Sequence, residues 1–356
     1  MSISDEKIER FVGQVVGDLG ATASSALAHI GHRLGLYRAM SGAGGLTPAE
    51  LAQRTGTHER YIREWLHNQA AGGYVEYRPD DGTFELPAEH ALVLADESSP
   101  VHLAAGLEQM AAVWADEPRL EDAFRSGDGI GWHEHDPRLF GATEEIFKPA
   151  YRTYLVDHWI PALDGVQDRL TAGGRVADIG CGHGASTILL AEVFPEAEVV
   201  GFDYHEASIG TARRRAAEAG LDPGDRTRFE VASAGDYPIP DGGYDLICFF
   251  DALHDFGDPV GAAAHARDAL ADDGAVMLVE LRAGDRPEEN LNPVGRLGYA
   301  MSTFVCTPNA LSQDGGVALG GQAGPAAIGE VFAAAGFSRF RQVAEAPIHQ
   351  VLEARP

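Results

Sequence analysis

Three glycines that directly follow an apolar segment constrain the fold of this chain more than any other feature. The segment Arg175-Val-Ala-Asp-Ile reads as a buried strand, and it runs into a turn of the form Gly180-x-Gly182-x-Gly184. A parallel sheet uses this arrangement to present a nucleotide-like ligand to the N-terminus of a helix. Glycine is needed because a side chain would block the turn or hold the ligand away from the backbone amides. We therefore expect a nucleotide-type site at this turn.

The carboxylate of Asp178, at the mouth of the turn, indicates which ligand binds there. The spacing Gly180-x-Gly182-x-x-Ala185 also fits the dinucleotide fingerprint, so the glycines alone do not separate NAD from other nucleosides. Beside a pyrophosphate the Asp178 carboxylate would face like charge, whereas beside the ammonium and sulfonium groups of S-adenosylmethionine (SAM) it faces opposite charge. The sequence therefore predicts a SAM site.

Alternating strand and helix patterns follow the turn. The second strand, Glu198–Asp203, ends in a carboxylate that can accept hydrogen bonds from both hydroxyls of a ribose, and Tyr204 is placed to lie against the adenine. Further patterns predict helices at 206–219, 259–270 and 326–335, strands at 228–232, 244–250 and 275–281, and two closing strands around residues 346–347. Short connections of this kind predict a doubly wound α/β sheet. The two closing strands must pair antiparallel, because no crossover helix separates them.

The first third of the chain has helical patterns and one hairpin. Residues 5–38 predict two helices, and the second, at 21–38, has more apolar surface than one helix can bury alone, which implies a partner. Thr47, Pro48 and Glu50 predict a helix start with a capping box. A helix at 58–71 and a hairpin around the turn at 79–82 follow. Together these elements predict a winged helix.

The charge of the winged helix argues against a nucleic-acid partner. Residues 46–95 contain four arginines and eight acidic residues, and Asp80 and Asp81 lie at the tip of the wing. The whole chain has a formal net charge of −27. Because phosphate contacts need Lys and Arg, we expect a dimerisation and substrate-lid module rather than a DNA reader.

Composition limits where the protein works. The sequence has no apolar run long enough to span a membrane and no charged-then-apolar leader. Its three cysteines, Cys181, Cys248 and Cys306, do not suggest a disulfide framework. We therefore expect a soluble, cytoplasmic protein with no membrane partner.

From about residue 171 onward the chain resembles the class I SAM-dependent methyltransferases. The resemblance rests on Asp178 with its glycine turn, on Asp203, on the segment 231–234, where that family binds adenine, and on the fourth strand. It implies a seven-stranded, doubly wound Rossmann-like methyltransferase sheet with the last strand antiparallel, and SAM as cofactor with S-adenosylhomocysteine as product. The family often has Asp where this chain has Ser233, so the adenine amino group would bond to the Ser233 hydroxyl or to backbone. The cofactor residues that the resemblance implies are Asp178, Gly180, Cys181, Gly182, Asp203, Tyr204, Ser233, Ala234, Phe249 and Phe250.

Over its whole length the chain is similar to small-molecule O-methyltransferases and to bacterial winged-helix methyltransferase-like proteins. This similarity implies a helical dimerisation and winged-helix domain at 1–95, a helical linker that contributes to the pocket at 96–170, and a SAM-binding catalytic domain at 171–356. It also implies a homodimer formed through the N-terminal helices.

A histidine just past the fourth strand is the predicted general base. A hydroxyl that attacks a methyl group loses a proton, and His254 lies where α/β sites form, at the carboxyl end of a strand. The O-methyltransferases carry their base in a similar Leu-His-Asp-aromatic-x-Asp segment, which places the base at His254, followed by Asp255.

Aromatic side chains before and after the sheet are candidates for the acceptor pocket. The helix predicted at 147–160 carries Tyr154, His158 and Trp159, and the long connection after the fifth strand carries Tyr299 and Met301. The run Trp132-His-Glu-His-Asp136 has metal-capable side chains but lacks ligand spacing, so the sequence predicts no metal.

The sequence thus predicts methyl transfer from SAM to a small acceptor, most simply at a hydroxyl. A SAM-responsive winged-helix transcriptional regulator and an N-, S- or C-methyltransferase of the same fold remain as alternatives. Iron-dependent C-methyltransferases of this architecture use a second histidine downstream of the equivalent of His254, and this chain has none between His265 and His349.

Overall fold

The computed structural model describes residues 3–221 and 226–356. The chain divides into two compact units, one formed by Met1–Ala112 with Gly141–Pro149 and the other by Val113–Phe140 with Ala150–Pro356. In these described ranges we find no helix that is both long and apolar enough to cross a membrane.

Up to residue 150 the structure is helical apart from one hairpin. The helices are α1 (Asp5–Arg33), α2 (Leu36–Met40), α3 (Pro48–Thr55), α4 (Glu59–Ala71), α5 (Ala88–Leu94), α6 (Ala105–Ala115), α7 (Glu117–Ser126) and α8 (Arg138–Ala150), with a 3-10 turn at Trp132–Glu134. The hairpin pairs β1 (Glu76–Arg78) with β2 (Thr83–Glu85), and Gly82 adopts a positive φ in the turn. The predicted winged helix is confirmed, including the capping box in which Thr47 and Glu50 exchange hydrogen bonds.

The N-terminal region is one continuous helix up to Arg33, where the sequence predicted two helices within residues 5–38. Four glycines interrupt the apolar pattern of this helix, but a glycine costs a helix only about 0.5–1 kcal/mol and does not end it. Packing holds the second half of α1 in place, because Trp65 of α4 donates a hydrogen bond from Nε1 to the Leu27 carbonyl at 2.8 Å.

A seven-stranded sheet forms the second unit. Its strands are β3 (Arg175–Ile179), β4 (Glu198–Asp203), β5 (Thr227–Val231), β6 (Tyr244–Phe250), β7 (Leu270–Leu281), β8 (Arg339–Glu345) and β9 (His349–Arg355), in the spatial order β5-β4-β3-β6-β7-β9-β8. Strands β3 to β7 pair in parallel, and β9 runs antiparallel to both β7 and β8. The predicted doubly wound sheet with an antiparallel last strand is confirmed.

Helices cover the sheet, as its apolar strands require. They are α9 (Val166–Thr171), α10 (Ala185–Val193), α11 (Glu206–Glu218), α12 (Pro259–Ala269), α13 (Pro293–Met301), α14 (Thr307–Leu311) and α15 (Pro325–Ala334), with π-helical segments at Tyr151–Trp159 and Ser302–Cys306. The helix predicted at 147–160 is therefore the end of α8 followed by a π-helix. Pro149 has no N–H to donate, and the wider hydrogen-bonding pattern begins just after it.

The strand order reverses between β3 and β6, and ligands of doubly wound sheets bind outside the carboxyl ends of the strands at such a point. Asp178 of β3 is level with Gly201 of β4 and Cys248 of β6. The side chains that follow these strands therefore meet at one edge of the sheet.

Candidate active site

The glycine turn after β3 has the backbone that the sequence predicted. Gly180, Gly182 and Gly184 adopt φ values of 77°, 53° and 83°, a region that residues with a side chain rarely occupy. A Cβ on Gly180 would lie 2.9 Å from the Cβ of Ala252, so this glycine also lets the segment after β6 approach the turn closely. The turn that leads into α10 and the turn after β6 are thus in direct contact.

Asp178 is buried below the turn and has an unused acceptor. Its Oδ2 accepts hydrogen bonds from the hydroxyls of Ser186 and Thr187, both at 2.6 Å, while its Oδ1 has no partner in the described structure. Burial raises the pKa of Asp178 to about 6, against the two hydroxyls, which lower it. A buried carboxylate with a free oxygen is suited to a cationic ligand.

Asp203 ends β4 at the same edge of the sheet. Its Oδ2 accepts from the Gly182 amide at 2.9 Å, and its Oδ1 accepts from the His205 amide at 2.8 Å. Burial raises the pKa of this carboxyl, while the two amides act in the opposite direction. Each oxygen keeps a second lone pair, so Asp203 can still accept from a ligand hydroxyl.

The predicted adenine segment lies beside Asp203. The Ala232 amide donates to the Asp203 carbonyl at 3.1 Å, which brings Ser233 and Ala234 to this edge, and Tyr204 is 44% exposed. These residues can be reached by a ligand.

The other predicted cofactor residues have buried side chains. Cys181 packs with Ile209 and Phe229, and Phe249 lies in the core of the sheet. Phe250 contacts Tyr151, with 5.2 Å between ring centroids. These three side chains therefore pack within the protein and support the edge of the sheet.

His254 lies in a 3-10 turn, Leu253–Asp255, that directly follows β6. It is buried, and its Nδ1 forms a short hydrogen bond with Oε2 of Glu280, while its Nε2 lies 3.4 Å from Oδ1 of Asp255. Burial by itself lowers the pKa of His254, but the carboxylates of Glu280 and Asp255 outweigh that effect and hold the pKa well above 6.5. The imidazole is thus a strong base that binds its proton tightly in this environment.

Glu280 is a candidate functional residue that the sequence did not reveal. It lies near the carboxyl end of β7, and its Oε1 has no hydrogen-bond partner in the described structure. Burial raises the pKa of Glu280, and His254 acts against that rise. The available signal was one carboxylate within the otherwise apolar run 275–281, since buried acids are rare without a partner.

A second buried polar group adjoins the first. Asp251, at a φ of 49°, accepts a hydrogen bond at Oδ2 from the Tyr151 hydroxyl and is bonded there to Nε2 of His349, both at 3.1 Å. A non-glycine residue rarely adopts this backbone conformation, and such residues cluster at functional sites. Sequence patterns gave no signal for this group, because its members come from three separate elements.

The predicted acceptor-pocket residues are divided between core and surface. Trp159 is fully buried, Tyr154 stacks on it with 6.0 Å between ring centroids, and His158 is exposed. Tyr299 is 38% exposed, and Met301 is half-buried at the end of α13. The chain after Met301 runs through a π-helix to Cys306, whose thiol is near His254 and Asp255, so this connection reaches the candidate base.

The histidines of the run at 132–136 make separate contacts. His135 is buried, with Nδ1 bonded to Oδ2 of Asp116 at 2.8 Å, and His133 lies 6.3 Å from Tyr204 between ring centroids. The two histidines of this run therefore have different surroundings and do not converge on one point.

Comparison with known proteins agrees with this architecture. Residues 170–305 match the family model described as a methyltransferase domain, and residues 22–96 match the model described as an Rv2258c-like winged HTH domain. Trans-aconitate 2-methyltransferase of Variovorax paradoxus is 33% identical over 153 residues, which is 43% of this chain and 54% of that protein. The chain thus spans about half the length of this curated relative.

Two solved structures share the fold along the whole chain. An O-methyltransferase family protein from Burkholderia thailandensis is 20% identical with a TM-score of 0.68, covering 100% of this chain and 98% of that one. Human N-acetylserotonin methyltransferase, in complex with SAM, is 18% identical with a TM-score of 0.69, covering 100% and 99%. These structures show the shared fold, and the two family models identify a winged HTH domain at residues 22–96 and a methyltransferase domain at residues 170–305.

Proposed function

We propose that this protein transfers the methyl group of SAM to an oxygen atom of a small molecule, with His254 as the general base. The observation that carries the proposal is the contact between two turns. Ala252 packs against Gly180 of the glycine turn, and two residues later His254 is hydrogen-bonded to Glu280. A cofactor site and a base are thereby held at one edge of the sheet.

The residues around the glycine turn fit SAM. The unpartnered Oδ1 of buried Asp178 would attract a cationic group, Asp203 would accept from the ribose hydroxyls, and exposed Tyr204 would cover the adenine. When bound, SAM supplies a methyl group on a sulfonium, which is already a good electrophile. The protein's task is then to align the acceptor and exclude water.

His254 and Glu280 have the arrangement of an oriented base. Glu280 fixes Nδ1 as the hydrogen-bond donor, which leaves Nε2 to take the proton of the acceptor hydroxyl. The imidazolium that results lies between the carboxylates of Glu280 and Asp255, which stabilise its charge. Asp255 would thus assist by position and charge.

A small, apolar or aromatic acceptor fits the surroundings. Tyr154, His158, Trp159, Tyr299 and Met301 remain the proposed acceptor residues, and of these Tyr299 and His158 offer the accessible surface. Trans-aconitate 2-methyltransferase and N-acetylserotonin methyltransferase are both named for small-molecule acceptors. We propose transfer to oxygen because His254 is available as a base. Nitrogen and sulfur nucleophiles depend less on a base.

The N-terminal unit would support a homodimer. One side of α1 exposes Ile8, Phe11, Val12, Val15 and Leu19, at the three- and four-residue spacing of a helical stripe. Exposed apolar surface of this kind marks interfaces. We assign dimerisation to residues 1–95, the pocket-lining linker to 96–170 and cofactor binding with catalysis to 171–356, in a cytoplasmic enzyme whose three cysteines are free thiols.

The regulator alternative is weakened by ion pairs on the winged helix. On α4, Arg60 pairs with Glu64 and Arg63 pairs with Glu59, and Arg78 of the wing pairs with Glu85. Arginines that already face carboxylates are poor partners for phosphate, so this surface lacks the charge that DNA binding requires.

The test is S-adenosylhomocysteine formation with a panel of phenols, carboxylic acids, alcohols, amines and thiols as acceptors. His254→Ala should lower kcat by about 10²- to 10⁴-fold, the usual contribution of a general base, while SAM affinity stays within about twofold. His90→Ala, on the winged helix, is the matched control. Unchanged turnover in His254→Ala would remove the base from the proposal, and release of a product methylated at nitrogen, sulfur or carbon would change its acceptor class.

A further inference from the structure

Three side chains of different chemistry converge at the end of β6. Nε2 of His254, a carboxylate oxygen of Asp255 and Sγ of Cys306 all lie within 4.8 Å of one another. His254 and Asp255 come from the 3-10 turn, whereas Cys306 comes from the π-helical segment about fifty residues later in the chain. One nitrogen, one oxygen and one sulfur donor therefore face a common point.

The spacing of these donors suits a small divalent ion. A tetrahedral ion with bonds of about 2.0–2.3 Å requires ligand atoms roughly 3.3–3.8 Å apart. Nε2 of His254 and Oδ1 of Asp255 are 3.4 Å apart, which already matches this requirement. Sγ of Cys306 would become the third ligand after a shift of about 1 Å. The fourth position of the tetrahedron would stay open to water.

The surroundings orient the histidine as a ligand. Glu280 holds Nδ1 of His254, which turns the lone pair of Nε2 toward Asp255 and Cys306. A carboxylate behind a metal-binding histidine is the usual outer contact of such sites. Gly321 leaves the necessary room, since a Cβ there would lie 3.1 Å from Sγ of Cys306.

We propose that His254, Asp255 and Cys306 form a binding site for a divalent transition-metal ion of the zinc or cobalt type. The ion binds Nε2, a carboxylate oxygen and a thiolate. The Nε2 proton of the His254 imidazolium and the thiol proton of Cys306 both leave to solvent as the bonds to the metal form. Mixed nitrogen, oxygen and sulfur donors favour such ions over Mg²⁺ and Ca²⁺, which prefer oxygen alone.

Occupation of this site would change the function of His254. The lone pair that takes the acceptor's proton is the one that binds the ion, so His254 cannot serve as base while the ion is present. The site therefore makes methyl transfer sensitive to zinc. Metal binding itself depends on neither SAM nor the acceptor, and it is tested without them.

Titration of the full-length protein with Co²⁺ tests the proposal. Coordination by Cys306 should produce a thiolate-to-cobalt absorption band near the ultraviolet and tetrahedral bands in the visible, saturating at one ion per chain. Cys306→Ser should lose the thiolate band. Cys248→Ala, which removes a buried cysteine within β6, should keep it.

Displacement of bound Co²⁺ by Zn²⁺, followed by the loss of the cobalt bands, then measures the affinity for Zn²⁺. Glu280→Gln leaves all three ligands in place and should weaken Zn²⁺ binding by about 10- to 100-fold, as the loss of an outer contact does elsewhere. Thermal melting by circular dichroism confirms that each variant is folded. A wild-type titration with no thiolate band, or a band that survives in folded Cys306→Ser, would overturn the proposal.

Discussion

The imidazole of His254 lies between two carboxylates, and this position governs how it can act. Glu280 bonds to Nδ1 and Asp255 lies beside Nε2, so the protonated form is favoured and the pKa is raised well above 6.5. A base with a raised pKa accepts a proton readily, but it is available only after it has lost its own.

The pH dependence of kcat/KM follows from this. Because the neutral imidazole is the form that the proposed base requires, kcat/KM should rise with pH, with its acidic limb above pH 6.5. Glu280→Gln removes one of the charges that hold the proton on His254. The acidic limb of the kcat/KM profile should therefore move to lower pH, and the maximal value of kcat/KM should fall. A limb that stays in place in Glu280→Gln would show that Glu280 does not act on His254.

The ionisation of the Asp178 carboxyl should make SAM binding depend on pH as well. Its pKa of about 6 means that the carboxylate is ionised above this pH and neutral below it. SAM affinity, measured by calorimetry between pH 5 and 8, should therefore fall as the pH drops through about 6. In Asp178→Asn the affinity should be low and nearly independent of pH, and an unaltered pH dependence in this variant would assign the effect to another group.

At the scale of elements, the close packing of α1 against α4 depends on one glycine. A Cβ on Gly31 would lie 2.4 Å from the Trp65 ring, and that ring is held by its hydrogen bond to the Leu27 carbonyl. Gly31 therefore lets the two helices approach, although glycine is otherwise a poor helix residue.

Gly31→Ala should destabilise the protein by about 1–3 kcal/mol, the usual cost of overpacking. Gly141→Ala, in the helix α8, is the control, because its Cβ would meet nothing within 4 Å, and we expect a gain of about 0.5–1 kcal/mol. Urea unfolding followed by tryptophan fluorescence measures both. Equal effects of the two substitutions would contradict the packing argument.

The strands of the sheet were predictable from the sequence, and the contacts of the site were only partly so. Strand β6 was predicted at its observed bounds, because an apolar run between turn residues is a local signal. The π-helix Tyr151–Trp159 and the unbroken α1 were not predicted, since tertiary packing decides both. His254 was found from its position after a strand, but its bond to Glu280 depends on the register of β6 and β7.

At the scale of the whole molecule, the apolar stripe of α1 and the net charge of −27 are the two features that bear on the proposed dimer. The negative charge opposes association with polyanions, and close association between copies of this chain then requires an apolar surface. The stripe on α1 supplies one.

A double substitution tests the proposed dimer. Phe11→Glu with Val15→Glu places charge in the middle of the stripe, so light scattering should give twice the chain mass for the wild type and the chain mass for the variant. Leu291→Glu, which changes an exposed leucine elsewhere on the surface, is the control and should leave the mass unchanged. A wild-type protein that elutes as a monomer would contradict the dimer.

Calorimetric titration with SAM tests the central claim most directly. We expect one site per chain, with the SAM affinity weakened in Asp203→Ala by about 1.5–3 kcal/mol, roughly 10- to 150-fold, as is usual when hydrogen bonds to a charged group are lost. The control Asp241→Ala, on the exposed connection before β6, should bind like the wild type. A wild-type protein that binds neither SAM nor S-adenosylhomocysteine would contradict the account.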